Sequence, residues 1–365
     1  MALEKTQLIE LAKATAKAAL NPSLKYSVNI EGAEGKVDLT ADSLSKTFTK
    51  ELDALGGSKS KFRENANLIY SLLEVTLSEY IPAKVLSTYG QFADIKRYAQ
   101  GDKPVFKVKI SEASRKRAKQ FVTKVGLAGR YETFKLDGYT IEVPTSAYGG
   151  AARIEWEEMA QGKITLSDYF AIVLEGIDEA IYREVAKALK AAAVSLKAVN
   201  KVVSNGFDEV QMDRLLATAD AYGKSTIYCT FEFAATMLPI ASGATNWNAM
   251  SDAMKDQIWN NGAFTTYKGH SVIILPQSFE DETNAKKVID PSLCYIIPTG
   301  SEKPVKIAFE GDAQVASFDN RDWSTEMQTY QKIGVATYMV NPGLCVFQNT
   351  ALSINNVPAN NTTIV

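Results

Sequence analysis

The strongest constraint in this chain is the stretch from Thr165 to Val194, TLSDYFAIVLEGIDEAIYREVAKALKAAAV, which contains no proline and a single glycine, Gly176. Tyr169, Ile172, Val173, Ile177, Ala180, Ile181, Val185, Ala188, Leu189 and Ala192 recur at three- and four-residue spacing and so share one face of a helix. Thr165 predicts an N-cap, and Asp168 the returning half of a capping box. Asp168, Glu175, Asp178 and Glu179 crowd the first half; Arg183, Lys187 and Lys190 follow, an order that suits the helix dipole. At about 1.5 Å per residue the helix spans roughly 45 Å, longer than most globular helices. It reads as a spine, and the rest of the fold must be arranged along it.

The chain has 365 residues, 46% of them hydrophobic, enough for sizeable cores and for two domains. The net charge of −2 announces neither nucleic-acid binding nor disorder. Cys229, Cys294 and Cys345 are widely spaced with no CxxC, which fits buried thiols in a reducing compartment. The first twenty residues mix acids with apolar residues and lack the apolar core of a signal sequence. No run approaches the ~20 apolar residues of a membrane span, so no membrane partner is expected.

Before the spine, three amphipathic helices are predicted over 3–20, 41–55 and 60–80, the last stopping before Pro82. None has an apolar face wide enough to make a domain alone, so they read as an arm. Residues 23–39 read as polar and turn-rich. From Pro104 the period changes to two, and PVFKVKI, KQFVTKV, RYETFKL and YTIEVP read as strands of a projecting excursion over 104–148. Tyr148-Gly149-Gly150 marks its end as a bend, and ARIEWEEM reads as a strand leading into the spine. After Ser204-Asn205-Gly206, helical and strand patterns alternate: a helix over 208–222, the strand STIYCTF, a short helix EFAATMLPI, a helix over 247–259, the buried strand HSVIILP, then LCYIIP and PVKIAFEG. This predicts a compact α/β domain with a mixed sheet. A long strand, MQTYQKIGVATYMV, and LCVFQNT follow, and the last residues read as a polar tail.

The search for chemistry comes back nearly empty. There is one histidine, His270, and a lone histidine serves structure more often than catalysis. No GxSxG elbow, zinc spacing, P-loop or dinucleotide fingerprint is present, so no metal or cofactor is expected. Charge is lopsided instead. Residues 104–148 hold nine bases and four acids, including Arg115, Lys116, Arg117, Lys119 and Lys124. Residues 151–184 hold eight acids and three bases, including Glu155, Glu157, Glu158, Glu175, Asp178 and Glu179. The basic cluster reads as solvated loop charge, as a nucleic-acid contact with one aromatic neighbour, Phe121, or as an inter-subunit contact. The third reading gains from the acidic stretch that follows, since complementary charge sets register and steers association.

The order of parts is a helical arm, a basic β excursion, one spine helix, a compact α/β domain and a long late strand. It resembles the major capsid protein of tailed bacteriophages, with the Hong Kong 97-type fold. YKGHSVIILP (267–276) looks like the strand that opens part of the family's axial domain, and EMQTYQKIGVATYMVNPGLCVFQ (326–348) like the late peripheral strand returning to it. The resemblance implies an α+β chain with an N-terminal arm over 1–103, an extended loop over 104–148 and a peripheral domain over 149–205 containing the spine. It further implies an axial domain over 206–312, late peripheral strands over 313–340 and a return to the axial domain over 341–365. It also implies a non-enzymatic shell protein of the virion, assembling in the host cytoplasm into hexameric and pentameric capsomers around double-stranded DNA. Its partners would be itself, portal, scaffolding and decoration proteins, and DNA contacted without sequence preference. The arm and loop are expected to reach over neighbouring subunits, since neither is expected to bury its own apolar residues. An encapsulin-type compartment is the nearest alternative. A two-domain enzyme or ligand-binding protein is the more distant one.

Overall fold

A computed structural model describes residues 5–20, 23, 25–29, 36–90, 92–108, 139–161, 163, 165–238, 256, 265–280, 283–284, 286–298, 303–337 and 343–352. The chain divides into two compact units, each built from three separate segments.

The first unit takes residues 1–106, 142–184 and 306–336. It begins with α1 (Lys5–Leu20), an antiparallel pair β1 (Tyr26–Asn29) and β2 (Lys36–Leu39), then α2 (Ala41–Gly56) and α3 (Lys59–Tyr89). The strand pair lies where the sequence reads only as turn-rich polar chain. The three helices pack on one another and bury Leu8, Leu11, Ala12, Leu44, Phe48, Leu52, Ile69 and Leu73. This corrects the expectation that the arm leaves its apolar residues uncovered: each stripe is narrow, but three of them close on each other.

Helix α3 also overruns its predicted stop and carries Pro82 in its interior. Proline removes one N–H and crowds the carbonyl four residues back, at a cost of about 3 kcal/mol or more. That carbonyl belongs to Ser78, and Arg97 Nη2 donates to it at 2.6 Å. The Ser78 hydroxyl accepts from the backbone N–H of Ala313 at 3.0 Å. The chain repairs the defect with tertiary bonds, which helix-stop rules do not see.

Next come β3 (Ala93–Tyr98), the paired β4 (Val105–Val108) and β5 (Tyr139–Glu142) at the root of the excursion, β6 (Ser146–Ile154) and the short α4 (Trp156–Ala160), so that ARIEWEEM is strand only to Ile154 and turns helical at Trp156. The spine is α5 (Leu166–Ser195), whose residues from Val185 onward belong to the second unit. With β12 (Val305–Asp319) and β13 (Thr325–Thr337) the first unit forms a four-stranded sheet in the order β3-β12-β13-β6. PVKIAFEG is thus the start of a fifteen-residue strand in this sheet, not a strand of the α/β sheet. Gly149 and Gly150 do not bend the chain. They lie within β6, antiparallel to β13 and facing Tyr330 and Thr329. A Cβ on Gly149 would sit 2.3 Å from the Thr329 carbonyl oxygen, so close strand approach requires glycine there.

Two ionic groups are buried on β12. Lys306 is fully enclosed, 3.3 Å from Asp94 Oδ2 and with its ammonium 5.7 Å from the Phe106 ring centroid. Glu310 accepts from the Gly101 N–H (3.1 Å), the Thr145 hydroxyl and Lys332 Nζ (3.0 Å). These bonds hold its carboxyl down at about 2, with the Thr145 bond the largest cause.

The second unit takes residues 107–141, 185–305 and 337–365. A 3₁₀ turn (Ala198–Asn200) leads into β7 (Lys201–Ser204), α6 (Glu209–Asp220), β8 (Ser225–Thr230) and α7 (Phe231–Thr236). Then follow β9 (Thr266–Tyr267), β10 (His270–Leu275), β11 (Leu293–Pro298) and β14 (Cys345–Asn349). The six-stranded sheet has the order β7-β14-β11-β8-β10-β9 and is mixed: β10 runs parallel to β8 and β14 to β7, whereas β11 is antiparallel to both neighbours. Met212, Leu215, Leu216 and Ala219 of α6 pack with Ile227, Cys229, Cys294, Ile296 and Phe347 of the sheet. Strands β8 and β11 are buried at every position. Strand β10, predicted as buried, is only half covered, and among the described residues the two-residue β9 is the strand that pairs beyond it. The β9–β10 turn has Lys268 at φ 47° and Gly269 at φ 87°, the left-handed pair of a tight hairpin. Apart from Asp256, the predicted helix over 247–259 lies outside the described residues, as does the polar tail after 352.

Candidate assembly interface

The spine starts as its sequence predicts. The Thr165 N–H donates to Asp168 Oδ2 at 3.0 Å, and the Asp168 N–H donates back to Thr165 Oγ1 at 3.2 Å. These reciprocal bonds satisfy two of the unpaired donors at the helix start; the Thr165 hydroxyl, donating to Asp168 Oδ2 at 2.7 Å, and then the Thr165 N–H lower the Asp168 pKa. The buried face holds Tyr169, Val173, Ile177, Ile181, Val185, Leu189 and Ala192 as expected. Ile172 departs from it and is 69% exposed. Tyr182 takes a buried place that the periodicity did not assign.

The six acids of the expected contact surface fall on two elements. Glu155 precedes α4, and Glu157 and Glu158 lie in its first turn. Glu175, Asp178 and Glu179 share a face of α5 through their three- and four-residue spacing. Half of them already have cations within the chain. Asp178 pairs with Lys84 at 2.7 Å, Glu179 with Arg183 at 2.7 Å, and Glu155 with Arg153 at 3.4 Å. Burial opposes the charge on Lys84, yet the Asp178 hydrogen bond and charge outweigh it and raise the lysine pKa. Among the described residues, Glu157, Glu158 and Glu175 have no ion-pair partner and remain open to a cation from outside. Arg115, Lys116, Arg117, Lys119 and Lys124, the expected basic counterpart, lie outside the described residues.

A second surface went unread in the sequence. Between β12 and β13 the turn 320–324 presents Trp323, 76% exposed and left-handed at φ 67°. Asp322 accepts from the Ser324 N–H (3.1 Å) and hydroxyl (2.6 Å), which lowers its pKa. Asn320 and Ser324 bond across the turn. Lys59 donates to the Trp323 carbonyl at 2.7 Å and lies 5.2 Å from the indole centroid. Arg63 pairs with Asp319 and Arg153 with Asp322, each at 2.6 Å; the first pair is the leading cause of the lowered Asp319 pKa. The signal was present as a cluster of turn formers between two alternating strands.

His270 also has partners. Its Nδ1 lies 3.0 Å from Ser225 Oγ and its Nε2 3.4 Å from Asp220 Oδ2. A serine, a histidine and an aspartate therefore meet, but the Ser225 hydroxyl donates to Asp220 at 2.8 Å and the serine is buried. In a hydrolytic triad the hydroxyl would face the imidazole and an open cleft; here the trio ties the start of β8 to the end of α6. Among the described residues no cluster of three or more His, Cys, Asp or Glu is placed to hold a metal ion, and no helix is long and apolar enough to cross a membrane.

Comparison with known proteins adds a family. The model described as "SPbeta prophage-derived putative capsid protein YonB" matches residues 10–341. No curated protein matches in sequence. Among solved structures, the chain is similar to the capsid of cyanophage P-SCSP1u, with 10% identity, 72% of this chain and 86% of that one covered, and a TM-score of 0.47. It is similar to the capsid of cyanophage Pam1, with 11% identity, 74% and 92% covered, and a TM-score of 0.47. It is also similar to the SrpI encapsulin of Synechococcus elongatus PCC 7942, with 11% identity, 71% and 85% covered, and a TM-score of 0.43. The described α+β architecture has its spine helix, α/β sheet and late strands in the order expected of a Hong Kong 97-type subunit. With the family model spanning residues 10–341, this chain belongs to the YonB family of SPbeta prophage-derived capsid proteins.

Proposed function

We propose that this self-associating shell protein forms hexamers and pentamers of an icosahedral phage head enclosing double-stranded DNA, and that it performs no chemistry of its own. The observation that carries the reading is the capsid-family match along residues 10–341. Portal, scaffolding and decoration proteins are its further partners, and assembly takes place in the host cytoplasm. DNA is contacted through phosphate without sequence preference. The decisive experiment is negative-stain microscopy of purified particles with analysis of their contents. Closed shells with double-stranded DNA are expected from infected or induced cells. Shells holding an enzyme cargo in place of DNA would assign the chain to an encapsulin-type role, and a monodisperse monomer at high concentration would sink the shell reading.

Within that reading, the basic residues Arg115, Lys116, Arg117, Lys119 and Lys124 dock on the acids of α4 and α5 in a neighbouring subunit. Glu157, Glu158 and Glu175 are the acids with charge to spare. The many moderate contacts of a shell reinforce one another once neighbours are in place. Replacing Arg115, Arg117 and Lys119 by Glu is expected to block or slow assembly. Replacing Glu157, Glu158 and Glu175 by Lys in the same chain is expected to restore part of it. Normal particle yield from the first triple variant would remove this contact from the account.

A further inference from the structure

We infer that Trp323 is the anchor of a contact with a second copy of this chain, its indole seated in that copy's pocket between Gly56, Gly57, Met159 and Leu166. The inference rests on the shell-forming reading and adds a site to it.

A tryptophan that is 76% exposed leaves a large apolar area in water. The strand turn could have carried a small polar residue there. Instead the tryptophan sits in left-handed backbone, which L side chains adopt rarely, and polar bonds on both sides hold it there. Little ordering entropy is left to lose on association, which is what a preorganised anchor needs. Tryptophan is also the residue type most enriched at interface hot spots, usually inside a ring of polar contacts that excludes water.

That ring is present and its charges balance. Lys59, Arg63 and Arg153 stand against Asp319, Asp322 and Glu155. Arg321 adds one positive charge, and Asp53 beside the pocket adds one negative. A DNA-facing patch would carry a surplus of cations. A near-neutral ring with both signs interspersed suits a surface that meets a copy of itself.

The receptor lies on the same corner of the fold. Gly57 and Gly56 stand two and three residues before Lys59, the lysine that touches Trp323. They line an open pocket of about 160 Å³ with Asp53, Met159, Thr165 and Leu166. Gly56 and Leu166 pack together as its buried floor, and the exposed backbone of Gly57 forms its rim beside Met159. Methionine is a soft, adaptable partner for an aromatic ring. A knob and a hole side by side on one patch can be satisfied reciprocally, as a two-fold contact requires.

The test places a benzophenone amino acid at position 323 in a mixture of isotopically light and heavy chains under assembly conditions. Irradiation is expected to give light–heavy cross-links ending at Met159 or its pocket neighbours. Cross-links only within one chain, or to another surface of the second copy, would overturn the assignment. In parallel, Trp323→Ala should keep the wild-type circular dichroism spectrum while raising the concentration needed for assembly at least about tenfold, with Trp323→Phe intermediate. Normal assembly of Trp323→Ala would overturn the proposal. Failure of the wild-type chain to form particles would instead overturn the shell reading beneath it.

Discussion

Glu310 shows how much one side chain can organise. Its carboxylate gathers Gly101, Thr145 and Lys332, and these bonds hold its pKa at about 2 against an ordinary 4.5. A depressed carboxyl contributes stability that is fully present above its unfolded pKa and is lost as pH falls through the folded one. Wild-type chain should therefore lose this contribution between about pH 4.5 and pH 2, and Glu310→Gln should flatten that part of the curve in acid-titrated urea melts. Thr165 gives a second case, since Thr165→Ala removes the hydroxyl that accepts from the Asp168 N–H, leaving only the backbone N–H of residue 165 to bond the Asp168 carboxylate. It should destabilise the first unit by ~1 kcal/mol, read as a lower urea midpoint. The cysteines give a third. Burial raises the Cys294 thiol, with Cys229 as its hydrogen-bond partner, and pushes Cys345 up to about 12. All three should resist maleimide at neutral pH and label fully once the chain is unfolded. The capping box and the buried thiols were legible in sequence because both depend on local order and composition. The Glu310 cluster was not, since its partners lie 22, 165 and 209 residues away.

Among elements, the two glycines of β6 make the cleanest contrast. A Cβ on Gly149 meets backbone of β13 at 2.3 Å, whereas one on Gly150 meets nothing within 4 Å. Gly149→Ala should cost ~1–3 kcal/mol by forcing the strands apart, while Gly150→Ala should change stability by less than about 0.5 kcal/mol; denaturant midpoints of the two variants decide it. The spine, α2, α6 and most strands could be read from periodicity, because one buried face leaves its period in the sequence. What could not be read was set by non-local partners. Helix α3 runs through Pro82 because Arg97 supplies the lost hydrogen bond. Strand β12 joins its sheet through pairings that no local window contains. Ile172 fits the apolar stripe of the spine, yet the structure leaves it in water.

For the whole molecule, the sequence conveyed an order of parts more clearly than a site. The acids of α4 and α5 were identifiable as a charged surface, but not which of them are already engaged. Lys84, Arg153 and Arg183 take three of the six. The Trp323 turn escaped notice because an exposed aromatic carries no periodic signal. The sheets carry one further consequence. In the first unit the interior strands are β12 and β13, flanked by β3 and β6; in the second, β14 fills the place between β7 and β11. All three late strands come from residue 305 onward. On the ribosome, both sheets therefore remain open until the strands between Val305 and Asn349 have emerged, several seconds or more after the early helices at typical synthesis rates. Nascent chains arrested before residue 305 should remain sensitive to protease in both units. A subunit cannot display finished docking surfaces until these strands have been made, so translation itself times when it can join a shell.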